Sequence, residues 1–188
     1  MRKLIVFNHV SLDGYFTDAE GDMRFAQNPI PDKEWDAFVS SNASGGGMLV
    51  FGRVTYDLMA SFWPTPMAAQ QMPEVAKAMN DLPKVVFSRT MHAASWQNTR
   101  LLKSDPADEI KKLKNEAGAD IVIFGSGMIV AQLAQAGLID EYQIVVDPVV
   151  LGKGRTMFDS LNEKLTFKLR SSRTFDNGNV LLRYEPIT

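Results

Sequence analysis

Residues 120–138, with the sequence DIVIFGSGMIVAQLAQAGL, constrain the fold more than any other stretch of the chain. Residues 120–124 are mostly β-branched or aromatic, which predicts a buried strand. Gly125-Ser126-Gly127 interrupts this run, and apolar residues then recur at helical spacing until Gly137. Because the first two of these glycines lack a Cβ, backbone N–H groups can approach an anion closely at the positive end of the helix. The segment therefore predicts a strand, a turn and a helix around a candidate phosphate site.

Strands and helices alternate along most of the chain, and the strand, glycine and helix order occurs a second time. Residues 48–51 predict a buried strand, and Gly52-Arg53 then opens a helix that ends before Pro64 and Pro66. Further patterns predict strands at residues 3–10, 84–87, 96–102 and 141–146, and helices at residues 31–41, 73–80 and 105–117. Asp176-Asn177-Gly178-Asn179, between two extended segments, predicts a β-hairpin. The chain therefore predicts an α/β fold, with a mixed sheet between helical layers and a C-terminal antiparallel pair.

Composition and charge narrow the class of protein. The 188 residues, 45% hydrophobic and 22% charged, predict one globular domain over residues 1–188. A net charge of -2 gives no reason to expect nucleic acid as a partner. The chain has no cysteine and only two histidines without H-E-x-x-H spacing, so we predict no metal site. Only four apolar residues follow Arg2-Lys3 before Asn8, and no run reaches membrane-spanning length, so we expect a cytoplasmic protein without membrane contact.

The glycine loop alone does not identify a dinucleotide site. It matches only part of G-x-G-x-x-G, because Val130 occupies the third position, and two glycines can also simply make a tight turn. Gly52-Arg53 offers a second helix start with a guanidinium, and Ser88-Arg89-Thr90 follows a third strand with groups that suit a ribose 2′-phosphate. Ligands of α/β sheets bind outside the carboxyl ends of the strands. We therefore expect these three strand ends to converge on one extended cofactor.

Proton transfer next to a flat heterocycle would need an acid or a histidine. Glu34 and Asp36 flank Trp35 in the first predicted helix, and either could donate a proton if it were buried. If they face solvent, they are ordinary surface acids of a helix. His9, at the polar end of the first strand, is either a pocket residue or a buried core histidine.

Five motifs are distinctive as a set and follow one another along essentially the whole chain. They are Ser11-Leu12-Asp13-Gly14 with Gly21-Asp22, Gly52-Arg53-Val54-Thr55-Tyr56, Phe62-Trp63-Pro64, Phe124-Gly125-Ser126-Gly127 and residues 148–154 (PVVLGKG). This set resembles the dihydrofolate-reductase-like proteins related to the C-terminal reductase domain of bifunctional riboflavin biosynthesis enzymes. The resemblance implies a three-layer α/β/α sandwich with a mixed, mostly parallel sheet, NADPH as hydride donor, and a homodimer.

The resemblance also implies which residues contact the cofactor. Gly52, Arg53 and Thr55 match the Gly-Arg-x-Thr element that holds cofactor phosphate in the family. Ser88 and Arg89 match the strand end that meets the 2′-phosphate of adenosine. The glycine loop and helix start under the pyrophosphate and nicotinamide correspond to Gly125, Ser126, Gly127, Met128 and Ile129.

Substrate and catalytic residues follow from the same resemblance. The loop of residues 11–14 matches the segment that closes over nicotinamide and substrate, and Asp13 within it is a catalytic candidate. In dihydrofolate reductase an acid of the first helix contacts the pterin, and this position corresponds to Glu34, with Asp36 as the alternative. The predicted substrate-binding residues are Asn8, His9, Ser11, Gly14 and Phe38.

The sequence thus predicts an NADPH-dependent reductase that transfers hydride to a small heterocyclic substrate of the pterin or pyrimidine type. One alternative is an NADP(H)- or nucleotide-binding protein without catalysis. Another is a riboflavin-pathway reductase of an aminopyrimidine, in which Lys153 or Arg155 would meet the substrate phosphate.

Overall fold

The computed structural model describes residues 1–45 and 47–187, and within them eight strands form one sheet. The strands are β1 (Leu4–Ser11), β2 (Met48–Gly52), β3 (Lys84–Phe87), β4 (Thr99–Leu102), β5 (Ile121–Phe124), β6 (Glu141–Asp147), β7 (Phe167–Thr174) and β8 (Val180–Pro186). Their order across the sheet is β4-β3-β2-β5-β1-β6-β8-β7. The pairs from β4 to β6 are parallel, whereas β8 pairs antiparallel with both β6 and β7. The sheet is therefore mixed and mostly parallel, as predicted.

Helices cover both faces of this sheet. They are α1 (Lys33–Ser44), α2 (Arg53–Phe62), α3 (Pro66–Gln71), α4 (Pro73–Asp81), α5 (Pro106–Asn115) and α6 (Gly127–Gln135). Apolar residues of α5 and α6 pack with Leu4, Val6 and Val10 on one face. On the other face, α1 packs with Phe7, and α2 and α4 pack with Phe51. The α/β/α sandwich is confirmed, and its continuous apolar strands follow from burial on both faces.

The C-terminal hairpin is also confirmed. Gly178 has a φ of 91°, and its N–H donates to the carbonyl of Phe175 at 3.0 Å, which closes the turn between β7 and β8. A left-handed φ at this position is readily adopted by glycine because it lacks a Cβ. The hairpin places Phe175 and Leu181 against α1, so the end of the chain completes the core beside β1.

Two local predictions were wrong. The strand predicted at residues 96–102 begins only at Thr99, because Asn98 has a left-handed φ of 58° that interrupts the extended backbone. Pro64 and Pro66 were predicted only to end a helix, but Pro66 also begins α3, where the Thr65 side chain accepts from the Ala68 N–H. Proline fits the first turn of a helix because that turn does not use its N–H. Across the described residues, every helix is too short or too polar to cross a membrane.

Candidate functional site

The carboxyl ends of five neighbouring strands form one edge of the sheet. Because β3, β2, β5, β1 and β6 are adjacent and parallel, the residues that follow them lie side by side. In this order, the strand ends carry Ser88, Gly52, Gly125, the segment from Asn8 to Ser11, and Asp147. The edge therefore brings together most of the predicted site residues, including segments more than a hundred positions apart in the chain.

Two helices begin at this edge without a side-chain cap. The N-termini of α1 and α5 are capped by Asp32 and Asp105, whose carboxylates accept from backbone N–H groups. In contrast, α2 and α6 follow Gly52 and Ser126, and neither helix has a side-chain cap hydrogen bond. The first N–H groups of a helix have no partner within the helix and favour an anion. Both helix starts therefore have the properties of a phosphate site.

Ser126 holds these two helix starts together. Its Oγ accepts from the N–H of Gly52 at 2.6 Å and lies 3.2 Å from the Oγ1 of Thr55 in α2. Gly125 and Ser126 both adopt left-handed backbone conformations, with φ of 60° and 62°, which turn the chain from β5 into α6. A Cβ on Gly52 would overlap Ser126 Oγ, and a Cβ on Gly125 would lie 2.7 Å from Thr55 Oγ1. The close approach of the two segments thus requires both glycines.

The predicted 2′-phosphate residues lie next to this pair of helix starts. Arg53 donates through Nη1 to Thr90 Oγ1 at 2.8 Å, which carries its guanidinium to the turn after β3. Ser88 Oγ accepts from the N–H groups of Thr90 and Met91 and so shapes this turn. The side chains of Arg53 and Arg89 are exposed. The structure therefore brings the Arg53 guanidinium to the hydroxyls of the turn after β3, the turn that also contains Arg89.

Asn8 supports the glycine loop from behind. Its side chain is 2% exposed, and Oδ1 accepts from the Gly125 N–H at 2.7 Å. Gly127 lies against the ring of Phe16, at a distance where an added Cβ would be 3.1 Å from the ring carbons. The Met128 side chain, assigned to the cofactor with its neighbour Ile129, is 82% exposed, whereas Ile129 is partly buried. Asn8 was predicted to contact substrate, but the structure buries its amide and uses it to position the loop.

His9 lies on the opposite face of β1 from Asn8. Its Nδ1 is 2.9 Å from Oδ2 of Asp147, a carboxylate that is 1% exposed at the end of β6. The imidazole meets Trp35 edge to face with ring centroids 5.8 Å apart, and 17% of its side chain is exposed. Asp147 was not among the predicted site residues. A carboxylate at the end of a buried strand, directly before Pro148, was the signal that could have identified it.

The two predicted acids of the first helix are not buried. Glu34 and Asp36 are exposed, and Oε1 of Glu34 accepts from Nη2 of Arg173 at 2.6 Å. Proton donation by Glu34 or Asp36 was predicted only for a buried residue, and this condition is not met. The buried acid of this helix is Asp32, whose pKa is lowered chiefly by the hydrogen bond from the Trp35 N–H. Because it caps α1, Asp32 is committed to the helix start.

Phe38 is buried between α1 and the sheet. Its ring lies 6.3 Å from that of Phe7 and 5.5 Å from that of Phe175. The residue was predicted to contact substrate, but these contacts make it part of the core under Trp35. It therefore supports the wall of the site and has little surface with which to touch a ligand.

Asp13 joins two loops above the edge of the sheet. Oδ1 accepts from Ser11 Oγ at 2.6 Å and from the Leu151 N–H at 3.1 Å, and Oδ2 accepts from the Gly152 N–H at 2.7 Å. The bond from Ser11 is the largest cause of the lowered pKa of Asp13. Gly14 follows with a φ of 88° and turns the loop. Both carboxylate oxygens are thus occupied, and Asp13 acts as a clamp between loops.

We expect Asp13→Ala to release residues 149–152 from the loop after β1. Amide exchange of Leu151 and Gly152 should become about tenfold faster or more, because each loses its acceptor. In the wild type the clamp is present above the usual carboxylate pKa and is lost as the pH falls through the lower folded pKa. Hydrogen exchange measured by NMR tests this, with the exposed Asp36→Ala as the matched control. Unchanged exchange at both amides would show that Asp13 does not hold the loop.

The comparisons with known proteins agree on one family. The model of the RibD C-terminal domain matches residues 2–181. An uncharacterized protein of Bacillus subtilis, YyaP, is 27% identical over 97% of this chain and 94% of its own length. A putative riboflavin biosynthesis protein from Shewanella sp. PV-4 has a solved structure with a TM-score of 0.74 and 26% identity, covering 99% of both chains. Dihydrofolate reductase from Enterococcus faecalis, complexed with NADP(H), shares the fold, with a TM-score of 0.64, 13% identity, and coverage of 99% of this chain and 97% of that one.

Proposed function

This chain belongs to the RibD C-terminal domain family, and we propose that it is an NADPH-dependent reductase that transfers hydride to a small heterocyclic substrate. The observation that carries the proposal is the bridge made by Ser126 between the uncapped starts of α2 and α6. Two adjacent helix N-termini at the carboxyl edge of a parallel sheet suit the two phosphates of a dinucleotide. A shared fold with a dihydrofolate reductase complexed with NADP(H) supports the same cofactor.

The residues present fit NADPH along the edge of the sheet. The pyrophosphate would be held by backbone N–H groups at the starts of α2 and α6, where Gly52, Gly125 and Gly127 permit close approach. The 2′-phosphate would be held by Arg53, Arg89 and the hydroxyls after β3. The bound cofactor would supply the hydride, and the protein would orient it and exclude water. With the pyrophosphate at the starts of α2 and α6 and the 2′-phosphate at the end of β3, the adenosine would lie toward β3 and the nicotinamide toward β1.

The substrate would then lie beyond β5, at the ends of β1 and β6. Trp35 is partly buried there and meets the imidazole of His9. An aromatic wall beside a few polar groups suits a flat heterocycle, because stacking supplies area and the polar groups supply orientation. This supports a pterin- or pyrimidine-like substrate.

Cofactor choice provides the direct test. We expect NADPH to bind at least about tenfold more tightly than NADH, because charge-assisted hydrogen bonds to one phosphate are worth about 1.5–3 kcal/mol. Calorimetric titration of both nucleotides measures the ratio, and Arg89→Gln and Arg53→Gln should reduce it. Arg24→Gln is the matched control, because Arg24 is exposed, pairs with Asp22, and is not one of the residues assigned to the 2′-phosphate. Equal affinities for the two nucleotides would refute the 2′-phosphate assignment.

The riboflavin-type alternative has one specific observation in its favour. Thr17 and Arg155 form a short antiparallel bridge, and this brings the exposed Arg155 next to Phe16, which contacts Gly127 of the glycine loop. A cation there could bind the phosphate of a ribosylaminopyrimidine. NADPH oxidation with pterins and with aminopyrimidine phosphates separates the two substrate classes, and Arg155→Gln should raise KM only for the phosphorylated compounds. Tight NADPH binding without turnover of any compound would favour a non-catalytic nucleotide-binding protein.

The family resemblance also predicts a homodimer, and we propose this assembly for the protein in solution. Sedimentation equilibrium tests it against the chain mass of 20.9 kDa. A mass of one chain at micromolar concentration would contradict it.

A further inference from the structure

We propose that His9, held by Asp147, donates the proton that accompanies hydride transfer, an inference that rests on the proposed reductase function. Bound NADPH would supply hydride, and with it two electrons, to the carbon of a C=N bond in the heterocycle. The Nε2–H bond of the His9 imidazolium would break as its proton forms an N–H bond with the substrate nitrogen. The neutral imidazole would then regain a proton from solvent.

The pair is built into the parallel register of the sheet. β1 pairs with β6 so that Ser11 is opposite Asp147 and His9 is opposite Val145, which places both side chains on the α1 face at the end of the strands. Asp147 Oδ2 lies 2.9 Å from His9 Nδ1. A carboxylate at this distance favours the tautomer with a proton on Nδ1 and limits rotation of the ring. Only the imidazolium carries a proton on both ring nitrogens, so it is the form that can donate from Nε2.

The aromatic residues around His9 fix the plane of its ring. The imidazole contacts Phe7 on its own strand and Trp35 in α1, both edge to face at 5.8 Å between ring centroids. Its side chain is 17% exposed, so a limited part of the ring meets solvent. A donor that is ordered on three sides and open on one has the geometry required for directed proton transfer.

The second oxygen of Asp147 is not shared with another group. Oδ1 is buried without a hydrogen-bond partner. Among the described residues, the carboxylate of Asp147 therefore makes its side-chain contact with His9, through Oδ2.

The position of His9 at the end of β1 agrees with the proposed direction of the cofactor along the edge of the sheet. β1 is adjacent to β5, whose end forms the glycine loop, and Asn8 on the other face of β1 accepts from Gly125. His9 is thus the next residue beyond the predicted nicotinamide site, away from the arginines at the end of β3. No other strand end at this edge combines a titratable side chain with a buried partner among the described residues.

The carboxylates near His9 are committed elsewhere or exposed. Asp32 caps α1, Asp13 clamps two loops, and Glu34 pairs with Arg173. Ionisable groups on the elements packed around His9 include Asp13, Tyr15, Asp32, Lys33, Glu34, Asp36, Glu141, Asp147, Arg173, Asp176 and Arg183. Of these, Asp147 contacts the imidazole directly. A pH effect on His9 therefore reports mainly on this pair.

The activity arm of the test uses single-turnover NADPH oxidation. His9→Gln should lower the rate about 10²–10⁴-fold, the usual contribution of a general acid, and leave NADPH affinity unchanged. The wild-type rate should fall as the pH rises, because only the imidazolium can donate the proton, and the variant should lose this dependence. His92→Gln is the matched control, because the chain has two histidines and His92 is exposed in a loop after β3.

A second arm does not depend on activity. In nitrogen-resolved NMR of the protein without nucleotide, His9 should show a slowly exchanging Nδ1–H resonance, and His92→Gln assigns it. Asp147→Asn should remove this resonance, because the asparagine amide can donate to Nδ1 and reverse the tautomer. His9→Gln and Asp147→Asn each introduce a side chain of similar size. NADPH affinity checks that both variants fold.

The outcomes separate this inference from the proposed function. Wild-type turnover with a His9→Gln rate within about threefold, a change too small for a lost general acid, would overturn the role of His9 alone. A His9 Nδ1–H signal that is absent, or that persists unchanged in Asp147→Asn, would also overturn it. Wild-type protein that fails to bind NADPH or to oxidise it with any substrate would overturn the reductase function and this inference together.

Discussion

Gly52→Ala is expected to lower the affinity for NADPH by about tenfold or more, because overpacking a tight contact costs about 1–3 kcal/mol. The new Cβ would overlap Ser126 Oγ and lie 3.0 Å from Ser126 Cβ. These atoms belong to a short side chain on a left-handed backbone, so the glycine loop itself must move. Its movement separates the two helix starts that would bind the pyrophosphate. Calorimetric titration with NADPH measures the loss, and urea unfolding shows whether stability falls with it.

A double variant distinguishes this steric cause from a general loss of structure. Ser126→Gly removes the two nearest atoms that the alanine would meet and also relieves the left-handed φ at this position. We expect Gly52→Ala with Ser126→Gly to bind NADPH better than Gly52→Ala alone, although the double variant lacks the acceptor of the bond from the residue 52 N–H. If the double variant binds more weakly than either single variant, the two residues do not act through the proposed contact.

Lys84→Met is expected to destabilise the protein by about 3 kcal/mol, since three carbonyls at the end of α4 each lose a donor worth about 1 kcal/mol. Lys84 is 1% exposed, and its Nζ donates to the carbonyls of Met79, Asn80 and Leu82 at 2.8, 3.0 and 2.6 Å. These carbonyls end α4 and have no partner within the helix. A loss of this size corresponds to a Tm lower by roughly 6–12 °C for a chain of this length. Thermal unfolding followed by circular dichroism measures it.

The same lysine should make stability depend on pH in the alkaline range. Burial lowers the pKa of Lys84 from 10.5 to about 8. Between these values the unfolded chain binds the proton and the folded protein does not, so the free energy of unfolding rises as the pH increases from about 8 to 10.5. Lys84→Met should lack this rise. Lys77→Met is the matched control, because Lys77 is an exposed residue of α4, whose end Lys84 contacts, and pairs with Asp81. An equal pH profile in wild type and Lys84→Met would contradict the assignment.

The sequence predicted the architecture correctly wherever the local pattern of residues agreed with their environment in the folded protein. The strand before Gly125, the hairpin at Gly178 and the helix after Gly52 are specified by glycine conformation and apolar periodicity within a few residues. The family assignment, based on motifs spread over the chain, is confirmed by the match over residues 2–181. Local patterns were insufficient at Asn98, where a left-handed residue begins the strand late.

The candidate site was predicted less completely than the fold. The cofactor residues Arg53 and Ser88 are brought together as expected, and their role stays a prediction. Glu34 and Asp36 are exposed, so neither meets the condition for proton donation. The sequence could not show this, because an amphipathic helix does not specify which acids reach solvent. Asp147 was missed because its partner His9 lies 138 positions away.

The sequence by itself determined the strand, turn and helix at residues 120–138, because β-branched residues, two glycines and a helical apolar repeat act over short distances. It also determined that glycine and serine would occupy the turn. Only the tertiary structure decided what this turn contacts: Ser126 bonds to the start of α2, and Asn8 bonds to Gly125. The tertiary structure also decided that His9 on β1 lies beside Asp147 on β6. These contacts depend on the order of the strands in the sheet, which arises from packing the helical layers on both faces and is not encoded in any single segment.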